Sequence, residues 1–164
     1  MVILQHEQIV FKIRRMAAEI IERHADEPYI ILAGINNNGF RLAGLIQAEL
    51  NSIHHLPVKI GRIRLNPAAP LEDKASLDLE NKEISNKVII IIDDVANTGR
   101  TIFFAFQPLF QSLPKRLEVA VLIDRLHKSF PVHVDYMGLR LATTTKDNIL
   151  VDIQNNGAFL ASMQ

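Results

Sequence analysis

The run Val88-Ile89-Ile90-Ile91-Ile92-Asp93-Asp94-Val95-Ala96-Asn97-Thr98-Gly99-Arg100-Thr101 constrains this chain more than any other. The aliphatic side chains from Val88 to Ile92 leave no polar face, so the strand they form suits burial on both sides. A parallel sheet covered by helices provides that setting. The strand delivers two carboxylates, Asp93 and Asp94, to its C-terminal edge, and Thr98, Gly99 and Thr101 follow as a helix begins. Backbone N–H groups at such a start, with hydroxyls and a glycine that permits close approach, suit a phosphate. The carboxylates would repel that phosphate; their natural partners are sugar hydroxyls or a hydrated divalent cation. One loop thus offers a grip for a phosphate at one end and for a diol or metal at the other, which describes a ribose 5-phosphate. The plain alternative is an acid pair that only caps the next helix.

The rest of the chain places this loop in an α/β pattern. From Gln5 to about Ala25, Ile9, Ile13, Met16, Ala17, Ile20 and Ile21 recur at helical steps. Tyr29 to Ala33 reads as a buried strand, Gly34-Ile35-Asn36-Asn37-Asn38-Gly39 as a polar turn, and Phe40 to Asn51 as a second helix. Pro57 to Leu65 is a strand, and Asn66 to Asn86 an extended or mobile loop. Beyond the acid pair, Arg100 to Ser112 reads as a helix and Leu117 to Ile123 as another buried strand. Extended pieces fall around Val132–Met137 and Asn148–Ile153. Strand and helix alternate without a composition break, so one α/β domain over residues 1–164 with a mainly parallel sheet flanked by helices is expected. Ligands of such sheets bind at the carboxyl ends of the strands.

Composition removes several chemistries. With no cysteine among 164 residues there is no thiol nucleophile, Cys-ligated zinc or iron–sulfur site. Lysine plus arginine and aspartate plus glutamate both total 18, which argues against a strongly basic nucleic-acid binder but not against a local basic patch. The region Arg100 to Lys146 holds Arg100, Lys115, Arg116, Arg125, Lys128, Arg140 and Lys146 against Glu118, Asp124 and Asp135. The histidines show no metal-ligand spacing: His54 and His55 are adjacent, and His127 and His133 read as surface or packing residues. No targeting segment or membrane-length apolar run is visible, so a cytoplasmic protein without membrane association is expected. High aliphatic content makes a homo-oligomer an expectation.

The acid pair followed by Thr-Gly-x-Thr resembles the phosphoribosyl pyrophosphate signature of type I phosphoribosyltransferases. A receiver-type acid pocket also places acids at a strand end but does not require the Thr98-Gly99-Arg100-Thr101 turn. The wider chain, from Ile13 to Ile153, is similar in segment order to the bifunctional pyrimidine-operon attenuator and uracil phosphoribosyltransferase group. Arg14 to Arg23, Val121 to Pro131 and Val134 to Gly138 carry that similarity. The resemblance implies the type I fold with a small C-terminal hood. It implies that Asp93 and Asp94 hold the ribose hydroxyls and touch Mg²⁺ directly or through water, the Mg²⁺ arriving with the pyrophosphate. It further implies that Val95, Ala96, Asn97, Thr98, Gly99, Arg100 and Thr101 form the rest of the phosphoribosyl pyrophosphate site, and that Asp124, Arg125 and Arg140 lie in the base region.

Three segments depart from that group. Its first loop reads Gly-Ile-Lys-Thr-Arg-Gly and binds the pyrophosphate; here Asn36, Asn37, Asn38 and Gly39 keep the glycine frame without the cations, and Arg41 is a candidate to compensate. Where the family carries Tyr-Arg-Asp-Asp, this chain has Asn66, Pro67, Ala68 and Ala69. Arg62 and Arg64 just before them fall on one face of a strand, either solvated or directed at pyrophosphate when the loop closes. Leu139-Arg140 stands in place of the family's Lys-Asn. Hypoxanthine–guanine enzymes place an Asp just before Thr-Gly; Asn97 cannot accept a proton there, which turns the reading toward a pyrimidine. The resemblance therefore implies transfer of ribose 5-phosphate from phosphoribosyl pyrophosphate to a nucleobase such as uracil. A nucleotide-sensing, RNA-binding regulator with weak or no catalysis is the alternative.

Overall fold

A computed structural model describes residues 1–144, 146–154 and 157–164. The elements run β1 (Val2–Gln5), α1 (His6–His24), β2 (Ile30–Ile35), α2 (Asn36–Ile53), β3 (Val58–Arg64), β4 (Ser76–Leu77), α3 (Asn81–Ile84), β5 (Val88–Ala96), α4 (Arg100–Ala105), β6 (Arg116–Arg125), β7 (Tyr136–Leu141), β8 (Ile149–Asp152) and β9 (Leu160–Met163). The main sheet has the order β4-β3-β2-β5-β6-β7, and every pairing in it is parallel except β3 with β4.

The aliphatic run behaves as its side chains require. Val88 to Ile92 are all buried, with Ile90 and Ile92 packing toward α1 and α2 and Ile89 and Ile91 toward the opposite face. The first face is closed by Ile9, Ile13, Met16 and Ile20 of α1 and Leu42, Ile46 and Leu50 of α2. The second is closed by Ile84, Ile102, Ala105 and Leu109. Burying one such side chain contributes about 1.5–3 kcal/mol, so β5 anchors the edge on which the acids sit.

Several boundaries differ from the sequence reading. Helix α2 begins at Asn36, so the expected polar turn is the end of β2 and the first turn of the helix. Asn36 makes the reversal at φ 49°, a conformation asparagine tolerates better than most residues. The helix expected over Arg100–Ser112 ends at Ala105 and gives way to a 3-10 turn over Gln107–Leu109, because Pro108 lacks the N–H an α-helix needs. The loop expected over residues 66–86 contains β4 and the single turn α3. The extended piece expected from Val132 becomes a strand only at Tyr136. The hood is a three-stranded antiparallel sheet, β1-β9-β8, so the N-terminal strand belongs to it as well as the C-terminal ones.

At the end of the sheet remote from the acid pair lies a buried polar network. His24 Nε2 is 2.6 Å from Glu118 Oε1, the Tyr136 hydroxyl donates to the same oxygen at 2.8 Å, and Arg116 Nε donates to Oε2 at 2.9 Å. Burial pushes Glu118 up, but the hydrogen bonds from His24 and Tyr136 and the Arg116 charge outweigh it and hold the carboxyl below its usual range. Burial and the Glu118 carboxylate push the Tyr136 phenol up.

Candidate active site

The acid pair sits where the sheet opens. Strand β5 keeps β2 as a neighbour only as far as Gly34 opposite Ile92, whereas its pairing with β6 continues to Ala96 opposite Asp124. Chain connections lead from β2 outward to β3 on one side and from β5 to β6 and β7 on the other. The carboxyl ends of β2 and β5 therefore flank a topological switch point, the usual ligand crevice of a sheet of this kind. Asp93 and Asp94 emerge into that crevice.

Each carboxylate is oriented locally. Asp93 Oδ1 accepts the Asp94 N–H at 2.9 Å, and Asp94 Oδ1 accepts the Val95 N–H at 2.8 Å. Asp94 Oδ2 accepts from Asn38 Nδ2 at 2.8 Å, which ties the acid pair to the first turn of α2. Burial, and next the neighbouring Asp94 charge, push the Asp93 carboxyl well above the usual carboxylate range. Hydroxyl donors or a cation in the crevice favour its charged form.

Beyond the acids, residues 95–102 wall a small hollow of about 40 Å³, room for one small group rather than a ring. Gly99 makes the turn at φ 84°, and the Phe103 N–H donates to its carbonyl as α4 begins. The Thr98 carbonyl accepts the N–H groups of Ser129 and Phe130 at 2.9 and 3.1 Å, which ties the turn to that segment. The N–H groups of a helix's first turn have no intrahelical acceptor, so this turn offers donors to an anion. Arg100, expected among the phosphoribosyl contacts, directs its guanidinium to the Pro67 carbonyl at 2.6 Å and joins the turn to the β3–β4 connection.

A cavity of about 390 Å³ brings together Asn36, Asn37 and Asn38 with Asp93, Asp94, Val95, Asn97 and Thr101. Ile35, Pro67 and Ile149 complete it; Pro67 belongs to the segment that departs from the family, and Ile149 carries no signal in the sequence. Ile149 comes from the hood, whose position over the crevice depends on pairings between the two ends of the chain. The asparagines are not interchangeable. Asn36 Nδ2 donates to the Leu65 carbonyl at 3.0 Å and its Oδ1 accepts the Leu65 N–H at 3.1 Å, which locks the start of α2 to the end of β3. Asn38 also reaches the Val151 carbonyl of β8 at 3.4 Å.

The glycine frame is a packing requirement. A Cβ on Gly39 would lie 2.4 Å from the Ile92 carbonyl oxygen, and one on Gly34 would lie 2.4 Å from the Phe40 Cα. Arg41, the candidate to compensate for the missing cations, faces a different cavity, with Phe40, Leu45 and Phe159.

Of the expected base-region residues, Asp124 and Arg140 pair with each other, whereas the Arg125 side chain turns to other partners. Asp124 accepts from Lys128 Nζ at 2.7 Å and from Arg140 Nε at 3.1 Å, and it is 4% exposed. Arg125 donates to Asn97 Oδ1 at 2.9 Å, Thr143 Oγ1 at 2.7 Å and the Thr144 carbonyl at 2.6 Å. Arg125 meets the lining of the crevice through Asn97. No spacing signal in the sequence joins Arg125 to Asn97.

A buried Asp93 beside a half-buried Asp94, a glycine turn walled for a small anion and a switch-point crevice suit a phosphorylated sugar. Residues 2–154 match the family described as Phosphoribosyl transferase domain. The chain belongs to this family and is a phosphoribosyltransferase. Among its relatives is the Bifunctional protein PyrR of Microcystis aeruginosa (strain NIES-843 / IAM M-2473), 32% identical over 163 residues, which cover 93% of this chain and 89% of the relative. The Bifunctional protein PyrR of Streptococcus agalactiae serotype Ia is 36% identical over 152 residues, covering 90% and 86%. Solved structures share the fold: a hypoxanthine-guanine phosphoribosyltransferase from Bacillus anthracis gives a TM-score of 0.75 at 20% identity, covering 100% of this chain and 96% of that one. The hypoxanthine phosphoribosyltransferase of Trypanosoma cruzi gives 0.75 at 16% identity, covering 98% and 94%. No helix among the described residues is long and apolar enough to cross a membrane.

Proposed function

We propose that this chain transfers ribose 5-phosphate from phosphoribosyl pyrophosphate to a pyrimidine base such as uracil. The observation that carries the reading is the placement of Asp93, Asp94, Asn97 and Thr101 around one cavity at the switch point. The turn over residues 97–101 receives the 5′-phosphate, and Asp93 and Asp94 accept the ribose hydroxyls. The bond from the anomeric carbon to the diphosphate oxygen breaks with its electron pair remaining on the diphosphate. A nitrogen lone pair of the base forms the new bond, and that nitrogen's proton passes to water. Positive charge developing on the sugar is stabilised by the nearby carboxylates, and fixed geometry supplies the proximity term.

Asn97 supports a pyrimidine. Its carbonyl is held by Arg125 and, being an amide, it has no proton-accepting role toward a purine nitrogen.

The donor set suits Mg²⁺ carried by the diphosphate. It consists of carboxylate oxygens, and no group of three or more ligating side chains that would form a protein-built cage occurs among the described residues. Asp93 and Asp94 would hold the ion directly or through water, and when bound it neutralises charge on the diphosphate.

Turnover of labelled phosphoribosyl pyrophosphate with a panel of bases tests the reading. Formation of a pyrimidine nucleotide is expected; no product with any base at high enzyme concentration would overturn it.

The uncharged Asn36–Asn38 turn favours a second reading, a nucleotide-responsive regulator that also binds RNA. The basic excess over residues 100–146 lends this little support. Lys128 and Arg140 pair with Asp124, Arg116 with Glu118 and Lys115 with Glu27. Nucleotide binding without turnover, together with a salt-sensitive RNA complex, would favour this second reading.

A further inference from the structure

A second cavity, of about 500 Å³, adjoins the first and shares Asn36 and Asn37 with it. Its wall carries Arg62 and Arg64 of β3 and Lys74 of the β3–β4 connection, against the single acid Asp73. None of these three cations has an ion-pair partner among the described residues. The Arg62 guanidinium stacks on the Phe40 ring 4.1 Å from its centroid, and its Nε is buried without a hydrogen-bond partner. A buried donor left unpaired is costly, which applies to Arg62 Nε, and the exposed Arg64 and Lys74 facing the same open cavity add the charge that suits an anion there.

The first turn of α2 cannot supply charge to such an anion. Asn36 is engaged with the Leu65 main chain and Asn38 with Asp94 and Val151. The anion seat at residues 97–101 is separate: its hollow shares no lining residue with the cavity of Arg62, Arg64 and Lys74, and the crevice that borders both lies between them. Two anion seats thus flank the acid pair.

We propose that Arg64 and Lys74, backed by Arg62, form the wall that receives the diphosphate leaving group, in place of cations on the first turn of α2. This rests on the phosphoribosyltransferase reading above. Guanidinium forks bind phosphate oxygens bidentately, and cations at this wall meet the charge that accumulates on the diphosphate as the anomeric bond breaks. The sequence separation of Arg64 and Lys74 hides the wall; only the fold of the connection onto β3 assembles it.

Calorimetric titration of inorganic diphosphate with Mg²⁺, beside titration of uridine 5′-monophosphate, tests the proposal. At about tenfold per charge-assisted contact, R64Q/K74Q is expected to bind diphosphate about 100-fold more weakly than the parent. Monophosphate affinity should stay within about twofold, since that ligand uses the other seat. N37K added to the double variant returns a cation to the shared edge and should restore much of the diphosphate affinity. Both substituted side chains are exposed, and the single variants R64Q and K74Q, each losing about tenfold, serve if the pair is poorly soluble. Unchanged diphosphate affinity with intact monophosphate binding would overturn the wall while leaving the enzyme reading in place. Loss of both ligands in a folded variant would also overturn it. A parent protein that binds neither ligand would overturn the phosphoribosyltransferase reading and the wall with it.

Discussion

Replacing Asp93 with Asn should make the ligand-free protein more stable and the enzyme worse. Asp93 is 9% exposed, and burial followed by the Asp94 charge raises its carboxyl well above the usual range. Such a group binds its proton more tightly in the native state than in the unfolded chain, whose value is about 3.9. Its favourable contribution is complete below that value and is lost as pH rises through the native one, above which the ionised side chain is a liability. Asn keeps the shape and an acceptor for the Asp94 N–H while removing the charge. Removing a liability of this kind raises stability by about 0.5–2 kcal/mol, and each kcal/mol moves the midpoint of a domain this size by about 2–4 °C. Binding moves the other way. A hydrogen bond from a ribose hydroxyl to a carboxylate contributes about 1.5–3 kcal/mol, so kcat/KM should fall roughly 10- to 150-fold. Thermal melts between pH 4 and pH 8, with steady-state rates at pH 7.5, measure both effects. A raised midpoint, with the gain shrinking toward the acid end, accompanies the lost activity on this reasoning. A lowered midpoint with undiminished kcat/KM would refute it and leave Asp93 a structural cap.

Two further substitutions separate packing from chemistry. G39A drives a Cβ to 2.4 Å from the Ile92 carbonyl oxygen, and overpacking against backbone should cost about 1–3 kcal/mol in urea denaturation. Unchanged stability with lost turnover would instead make Gly39 a ligand-approach residue. E118Q removes the charge that His24, Tyr136 and Arg116 surround and should cost about 1.5–3 kcal/mol at pH 7. Glu118 is held below its usual range, so its stabilisation is present above about pH 4.3 and lost as pH falls through the native value. The variant should therefore show a flatter acid limb than the parent, and an identical limb would contradict the assignment.

The parts of the site that the sequence made legible are those held within one segment. Asp93, Asp94 and the 97–101 turn follow directly from an aliphatic strand whose burial is dictated by its side chains, and β5 needed only extension to Ala96. The parallel sheet followed from the same run. What escaped depends on contacts distant in sequence. The pairing of β1 with β9 joins Val2 to Ser162, and neither short strand has an alternation that distinguishes it from loop. The start of α2 is not legible in the sequence because Asn36 reverses the chain at a positive φ while its side chain imitates a strand partner for Leu65. Arg41 is near the cation-poor turn in sequence, but the helix carries it to another cavity. Arg62 and Arg64 were visible as cations on one strand face, yet their meeting with Lys74 requires the folded connection.

The crystal structure of the protein with uridine 5′-monophosphate tests the central assignment most directly. The phosphate should lie against the backbone N–H groups of residues 98–101, with the 2′ and 3′ hydroxyls within hydrogen-bond distance of Asp93 and Asp94. A nucleotide bound with its phosphate elsewhere, or with its ribose turned away from the acid pair, would contradict the account.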